Sequence, residues 1–283
     1  MRHAIVGAGG IGGLLGAALA RAGADVVLLV RPETLTRQPN RIEVDSAVLG
    51  MFEVNVPVAS LLDRQVDALW VTVKATELEP ALGLAPPDSV ADAAVVPLLN
   101  GVDHLALLQE RYATVIAAAI RVESERVAPG KIRQTSPFLR VELAGGDALA
   151  AELRSAGIDC RLREDGPSLL WDKLVFLAPL ALATTALDGP LGSVRNDPRY
   201  QSCQQEALAV ARAEGAQIDE QALHNLADSA PDEMRSSMQK DIAAGRTPEL
   251  DAIAGPIQRG GRQHAIPTPA TDELVLLVAA RAT

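Results

Sequence analysis

The apolar positions of the first thirty residues fall into two short unbroken runs separated by a glycine-rich stretch and an Ala/Leu-rich segment. Ala4-Ile5-Val6 leads into Gly7 to Gly10, a helical run extends to Ala22, and Gly23 precedes Asp25-Val26-Val27-Leu28-Leu29-Val30. Unbroken apolar runs of this length belong to strands covered on both faces, so the pattern predicts a strand, helix, strand unit with parallel pairing. Further runs at Ala68 to Val73, Ala93 to Leu99 and Thr114 to Ile120 alternate with helical or turn segments and extend that sheet. The expectation is an α/β domain over residues 1–163, a doubly wound parallel sheet covered on both faces.

Beyond Asp165-Gly166-Pro167-Ser168 the period changes. Runs with helical spacing cover Leu169 to Leu187, Arg199 to Gly215, Glu220 to Ala227, Asp232 to Ala244 and Pro248 to Gln263, so residues 164–283 are expected to form an all-helical second domain. Pro179 lies inside the first of these helices and should kink it, because it removes a backbone donor and crowds the preceding turn. The apolar stretch Leu174 to Leu187 is shorter than a bilayer-crossing helix requires and follows Asp172 and Lys173, which argues against a membrane role.

Composition narrows the function classes. The 283 residues are 48% hydrophobic and 22% charged, enough apolar material for two cores. Twenty-six basic against thirty-six acidic residues give a formal charge of −10, and such a surface repels nucleic acid and anionic lipid. Only seven residues are aromatic, which also disfavours a base-stacking platform. Cys160 and Cys203, in a chain that enters a structured pattern at Met1, are expected to be reduced, and the expected location is cytoplasmic. No metal-ligand set is expected.

The glycine-rich stretch carries chemistry. Gly7-Ala8-Gly9-Gly10-Ile11-Gly12 matches G-x-G-x-x-G, and it follows a strand and opens a helix, the context a dinucleotide pyrophosphate needs. Gly7 permits the tight turn, Gly9 lets backbone approach the pyrophosphate, and Gly12 lets helix and strand pack closely. At the end of the second strand stands Arg31, where an acidic residue would favour NAD. Its guanidinium suits the 2′-phosphate of NADP(H), with Arg37 or Lys74 adding charge; an ordinary surface arginine, with Glu33 nearby, is the other reading. Lysine is scarce: Lys74, Lys131, Lys173 and Lys240 are the four. Lys173, within Trp171-Asp172-Lys173-Leu174, is a candidate proton donor, since a desolvated lysine gives up a proton where an arginine does not; a helix lysine whose stem merely covers apolar surface reads the same way.

These segments, taken in order, resemble the ketopantoate reductase family (2-dehydropantoate 2-reductases of the ApbA/PanE type) over nearly the whole chain. The resemblance is carried by Ile5 to Gly13, Leu28-Leu29-Val30-Arg31, Val71-Thr72-Val73-Lys74, Leu98-Leu99-Asn100-Gly101, Trp171-Asp172-Lys173-Leu174, Ser236 to Asp241 and Gly245 to Asp251. It implies an N-terminal Rossmann-type domain, a helical C-terminal domain, and NADPH-dependent reduction of a 2-oxo acid, with ketopantoate giving pantoate in pantothenate biosynthesis as the family reaction. It also implies roles by position. Gly7, Gly9, Gly10, Ile11, Gly12, Arg31, Lys74 and Asn100 serve the cofactor; Lys173 is the acid and Glu249 its assistant; Asn100, Ser237 and the positions of Leu177 and Ala181 face substrate.

The chain departs from the family pattern at three places. Asparagines expected four and eight residues after the lysine are Leu177 and Ala181, and a third, before Gly255, is Ala254. Three polar substrate-facing groups have become apolar, which opens two alternatives to ketopantoate reduction: a less polar ketone or imine acceptor, or an NADP-binding protein without turnover. The apolar helices of the second half also allow a homodimer.

Overall fold

In the computed structural model, which describes residues 1–282, contacts divide the chain into two compact units: Met1–Leu99 with His104–Leu169, and Asn100–Asp103 with the chain from Leu170 onward. The reading from sequence divides the chain at 163/164 and leaves residues 100–103 in the first domain. The structure groups them with the second unit.

The first unit carries, in chain order, β1 (Arg2–Val6), α1 (Gly10–Arg21), β2 (Asp25–Leu29), β3 (Arg41–Ser46), β4 (Gly50–Asn55), β5 (Val58–Ala59), β6 (Ala68–Val71), β7 (Ala94–Pro97), α2 (His104–Arg111), β8 (Ala118–Arg121), β9 (Ser124–Ala128), β10 (Lys131–Gln134), β11 (Arg140–Leu143), α3 (Asp147–Ser155) and β12 (Asp159–Leu162), besides shorter helical turns. Five strands form a parallel sheet in the order β5-β2-β1-β6-β7, with Ile5 opposite Leu28 on one side and Trp70 on the other. Alternation splits this sheet into two buried faces. Ile5, Leu28 and Trp70 join the core that contains α1, while Val6, Leu29, Leu69 and Val71 join the core that contains Leu82 and Leu108.

The first face is covered by α1, and α1 is itself covered in a way the sequence did not suggest. A second sheet, ordered β4-β3-β10-β9, lies on the far side of α1, and residues 12–19 of that helix are all buried. Gly16 packs at Ile5 and Leu28, whereas Gly13 packs at Ile132 of β10. A helix apolar all round is one enclosed on two sides. The strands of this second sheet escaped notice because charged residues alternate with the apolar ones: in β3, Ile42 and Val44 are buried while Arg41, Glu43 and Asp45 are exposed. The run Thr114 to Ile120 also behaves differently. Its backbone pairing with the parallel sheet is the isolated Val95–Val115 bridge, and β8 then pairs antiparallel with β11 in a three-stranded sheet.

The second unit is helical: α4 (Gly166–Ala186, whose first turn groups with the first unit), α5 (Pro198–Ala213), α6 (Glu220–Ser229), α7 (Ser237–Ala243), α8 (Leu250–Gln263) and α9 (Pro269–Arg281). Local chemistry fixes the starts. Asp197 accepts from Arg199 N with Pro198 at the first helical position, Asp219 accepts from Ala222 N, and Ser236 accepts from Gln239 N. The Ser236 cap explains why α7 begins at Ser237 rather than at Asp232, and α9 lies beyond the helices read from sequence. Helix α4 continues uninterrupted through Pro179. At 21 residues, with a mean hydropathy of 1.4 over its most apolar 18-residue window, it is long and apolar enough to cross a membrane, contrary to the length argument above. Yet 78% of its most apolar window is buried inside the fold, as a core helix would be.

Candidate active site

Two groups of the residues singled out above are assembled, one in each unit. In the first unit the parallel strands β1, β2 and β6 run the same way, so Gly7, Arg31 and Lys74 all follow their carboxyl ends. Strand order reverses between β1 and β6: β2 lies on one side of β1 and the chain returns to the other, which opens a crevice at the carboxyl ends.

The glycines in that crevice have separable duties. Gly7 sits at φ +104°, a conformation that excludes a side chain without strain, and a Cβ there would lie 2.9 Å from Val73 Cγ1. At Gly12 a Cβ would meet Gly7 O at 1.9 Å and Thr72 Oγ1 at 2.3 Å, because Thr72 donates a hydrogen bond shared between the carbonyls of Val6 and Gly7 (2.9 and 3.0 Å). Gly10 is pressed on the carbonyl of Ser124, whose hydroxyl donates to Gly10 O at 2.9 Å. At Gly9, in contrast, a Cβ would meet nothing within 4 Å. Gly9 is the N-cap of α1 and no side chain caps the helix, so the N–H groups of its first turn, Ile11 included, are left for an anion. Packing explains Gly10 and Gly12, whereas at Gly9 the fold leaves the space beside the backbone open to a ligand. The turn therefore fits a dinucleotide pyrophosphate.

Arg31 is half-exposed and ion-paired. Its Nη1 lies 2.8 Å from Glu77 and its Nε 3.4 Å from Glu33, so the guanidinium reaches from the end of β2 to the segment after β6. Lys74 precedes that segment by one residue. The partner Glu77 was not apparent in the sequence, since 46 residues separate it from Arg31.

The second group lies in the helical unit. Asn100, Leu177, Ala181, Ser237 and Glu249 line one pocket together with Met238, Asp241 and Ile253. Each helix contributes residues one turn apart: Leu177 and Ala181 from α4, Ser237 and Asp241 from α7, Glu249 and Ile253 from the start of α8. Glu249 is buried, and Asn100 Nδ2 donates to its carboxylate at 3.1 Å. The Asn100 loop is fastened to α8 twice more. Gly101, at φ +83°, packs its α-carbon so closely on Ala252 that a Cβ would lie 2.3 Å from that carbonyl, and Arg259 ion-pairs with both Asp103 and Asp251. Asp241 accepts from Arg246 Nε at 2.8 Å.

Lys173 is half-buried one turn before Leu177 on the same face of α4, next to the pocket-lining positions though not itself among them. One expectation needs correcting. Ala254 is enclosed in the helical core, and the residue that α8 turns into the pocket is its neighbour Ile253. Met238 and Asp241 were missed as well, because a helix expected to start at Asp232 gives no reason to place Ser237 and Asp241 on its pocket side.

Residues 3–145 match the family model for ketopantoate reductase PanE/ApbA, and residues 168–282 match the model for its C-terminal part. A 2-dehydropantoate 2-reductase of Mycobacterium tuberculosis is 31% identical, with 98% of this chain and 96% of the relative covered. One of Caulobacter vibrioides is 29% identical, covering 99% of this chain and 98% of the relative. The crystal structure of a PanE/ApbA family ketopantoate reductase from Ralstonia eutropha superposes with a TM-score of 0.87 at 29% identity, over 100% of this chain and 98% of that one.

Proposed function

We propose that this chain, which belongs to the ketopantoate reductase family of oxidoreductases, uses NADPH to reduce the keto group of a 2-oxo acid to a hydroxyl. The observation that carries the proposal is the single pocket around which the Asn100–Glu249 pair, Ser237 and the Leu177–Ala181 face of α4 converge, with Lys173 one turn away on that face. The Gly9 turn would hold the pyrophosphate of NADPH and Arg31 with Lys74 would hold its 2′-phosphate, and the nicotinamide would supply the hydride. The preference for NADPH over NADH rests on the guanidinium: a dianionic phosphate is a stronger partner for Arg31 than the carboxylate of Glu77 it would replace, because it offers more charge and three acceptor oxygens.

The protein's own groups do the rest. Hydride arrival at the carbonyl carbon leaves negative charge on oxygen, and an ammonium both stabilises that charge and gives up the proton that completes the alcohol. Lys173 has this role. Glu249 balances the lysine's charge, and the amide of Asn100 fixes the orientation of that carboxylate. Ser237 holds the substrate carboxylate through its hydroxyl. Ketopantoate has the required carboxylate and adjacent ketone, so its reduction to pantoate is the reference reaction.

The test is NADPH consumption with ketopantoate and with simpler 2-oxo acids, for the native protein and for Lys173→Ala. The substitution is expected to lower kcat by about 10²-fold or more while leaving the Kd of NADPH unchanged. Undiminished turnover in Lys173→Ala would remove the assignment, and no oxidation of NADPH by any 2-oxo acid would remove the proposed function.

A further inference from the structure

The pocket points to a narrower substrate class: we infer that the preferred acceptor is a 2-oxo acid whose chain beyond the keto group is hydrocarbon, branched and without a hydroxyl. This inference rests on the proposed 2-oxo acid reductase reading. Its ground is the lining. Leu177 and Ala181 of α4, Met238 of α7 and Ile253 of α8 contribute hydrocarbon surface, and Leu177, Met238 and Ile253 carry no side-chain group that donates or accepts a strong hydrogen bond.

Two of the polar lining groups already have partners within the fold. Asn100 donates its amide to Glu249, and Asp241 accepts from Arg246. A 2-oxo acid needs partners for two groups, its carboxylate and its carbonyl oxygen, and the proposed reading gives Ser237 and Lys173 to them. A hydroxyl further along the chain would face the α4 wall, where Leu177 and Ala181 stand one turn apart and neither answers it. Leaving water for that wall strips the hydroxyl of its hydrogen bonds, whereas a methyl in its place gains apolar contact.

A pair of acceptors that differ by a single oxygen atom isolates the effect. Ketopantoate and trimethylpyruvate share the carboxylate, the ketone and the quaternary carbon, and differ by one hydroxyl on one methyl. With NADPH, kcat/KM for trimethylpyruvate is expected to exceed that for ketopantoate by roughly fivefold to a hundredfold. Calorimetric titration of the two 2-oxo acids in the presence of NADP⁺, a pairing with no hydride to transfer and so no turnover, should rank them in the same order. Leu177→Asn, which sets a carboxamide on that wall, should shift the ratio at least about fivefold toward ketopantoate, and Ala181→Ser should shift it in the same direction.

Ketopantoate reduced as efficiently as trimethylpyruvate, or a ratio unmoved in both variants, overturns the inference and leaves the reductase reading in place. Oxidation of NADPH by neither acceptor overturns the inference, and oxidation by no 2-oxo acid overturns the reductase reading as well.

Discussion

Gly9 and Gly12 stand three residues apart in one motif, and the structure separates their roles sharply enough to test by a single methyl group. In Gly12→Ala the added Cβ would lie 1.9 Å from Gly7 O and 2.3 Å from Thr72 Oγ1, well inside contact distance, and the nearer atom is backbone. Relief requires α1 to move off β1, a helix whose residues 12–19 are buried between two sheets. Overpacking of this kind costs about 1–3 kcal/mol, and with a backbone obstacle the upper end applies. At about 2–4 °C per kcal/mol for a domain of this size, the thermal midpoint should fall by roughly 5–10 °C. In Gly9→Ala the Cβ meets nothing within 4 Å, and the backbone, at φ −79° and ψ −167°, suits alanine as well as glycine. Its midpoint should match the native protein within about 1 °C, while NADPH binding weakens by about tenfold or more, because the methyl occupies the approach of the pyrophosphate. Thermal unfolding by circular dichroism and titration of NADPH fluorescence read the two effects independently. Native-like NADPH affinity in Gly9→Ala, or a native-like midpoint in Gly12→Ala, would refute the assignment of ligand approach to one glycine and packing to the other.

The pocket and the core offer further checks. Asn100→Asp would set a second carboxylate about where the amide donates to buried Glu249. It should cost roughly 1–3 kcal/mol at pH 8; because repulsion raises the pKa of an acid, the deficit should shrink on acidification to about pH 5, and a deficit that stays constant in thermal melts would argue against the pairing. His3 is fully buried in β1, with Nδ1 accepting from Trp70 Nε1 at 3.1 Å, and burial holds its pKa below the usual 6.5 despite Glu152. The unfolded chain therefore takes up a proton that the folded one refuses, so stability should fall as pH drops below 6.5; His3→Asn, which keeps an acceptor for Trp70, should flatten that slope in pH-dependent melts. Burial pushes the Cys203 thiol up to about 12 and raises that of Cys160, so neither should label with a maleimide at pH 8 until denaturant is added, and prompt labelling of the folded protein would contradict their packing.

Sequence alone determined the features that local chemistry controls. The unbroken runs at Ala4-Ile5-Val6 and Asp25 to Val30 form β1 and β2 because strands buried on both faces need apolar residues at nearly every position, and the glycine spacing marks the turn between β1 and α1. The change of period after Ser168 separated a sheet-rich half from a helical one for the same reason. Tertiary structure decided what depends on partners distant in the chain. Arg41 to Ser46 pairs with β4 close by in the chain, but it is the distant β10, about 90 residues away, and the packing of Ile42 and Val44 into the core that contains α1 that offset the charged residues between them. The Arg31–Glu77 pair, the exchange of Ala254 for Ile253 in the pocket, and the membership of Asn100 in the helical unit are of this kind. A helical rotation of one residue is about 100°, too fine for apolar spacing to resolve when the helix is buried on several sides. Which of two adjacent apolar residues faces a ligand is set by the packing of whole helices and not by the residues themselves.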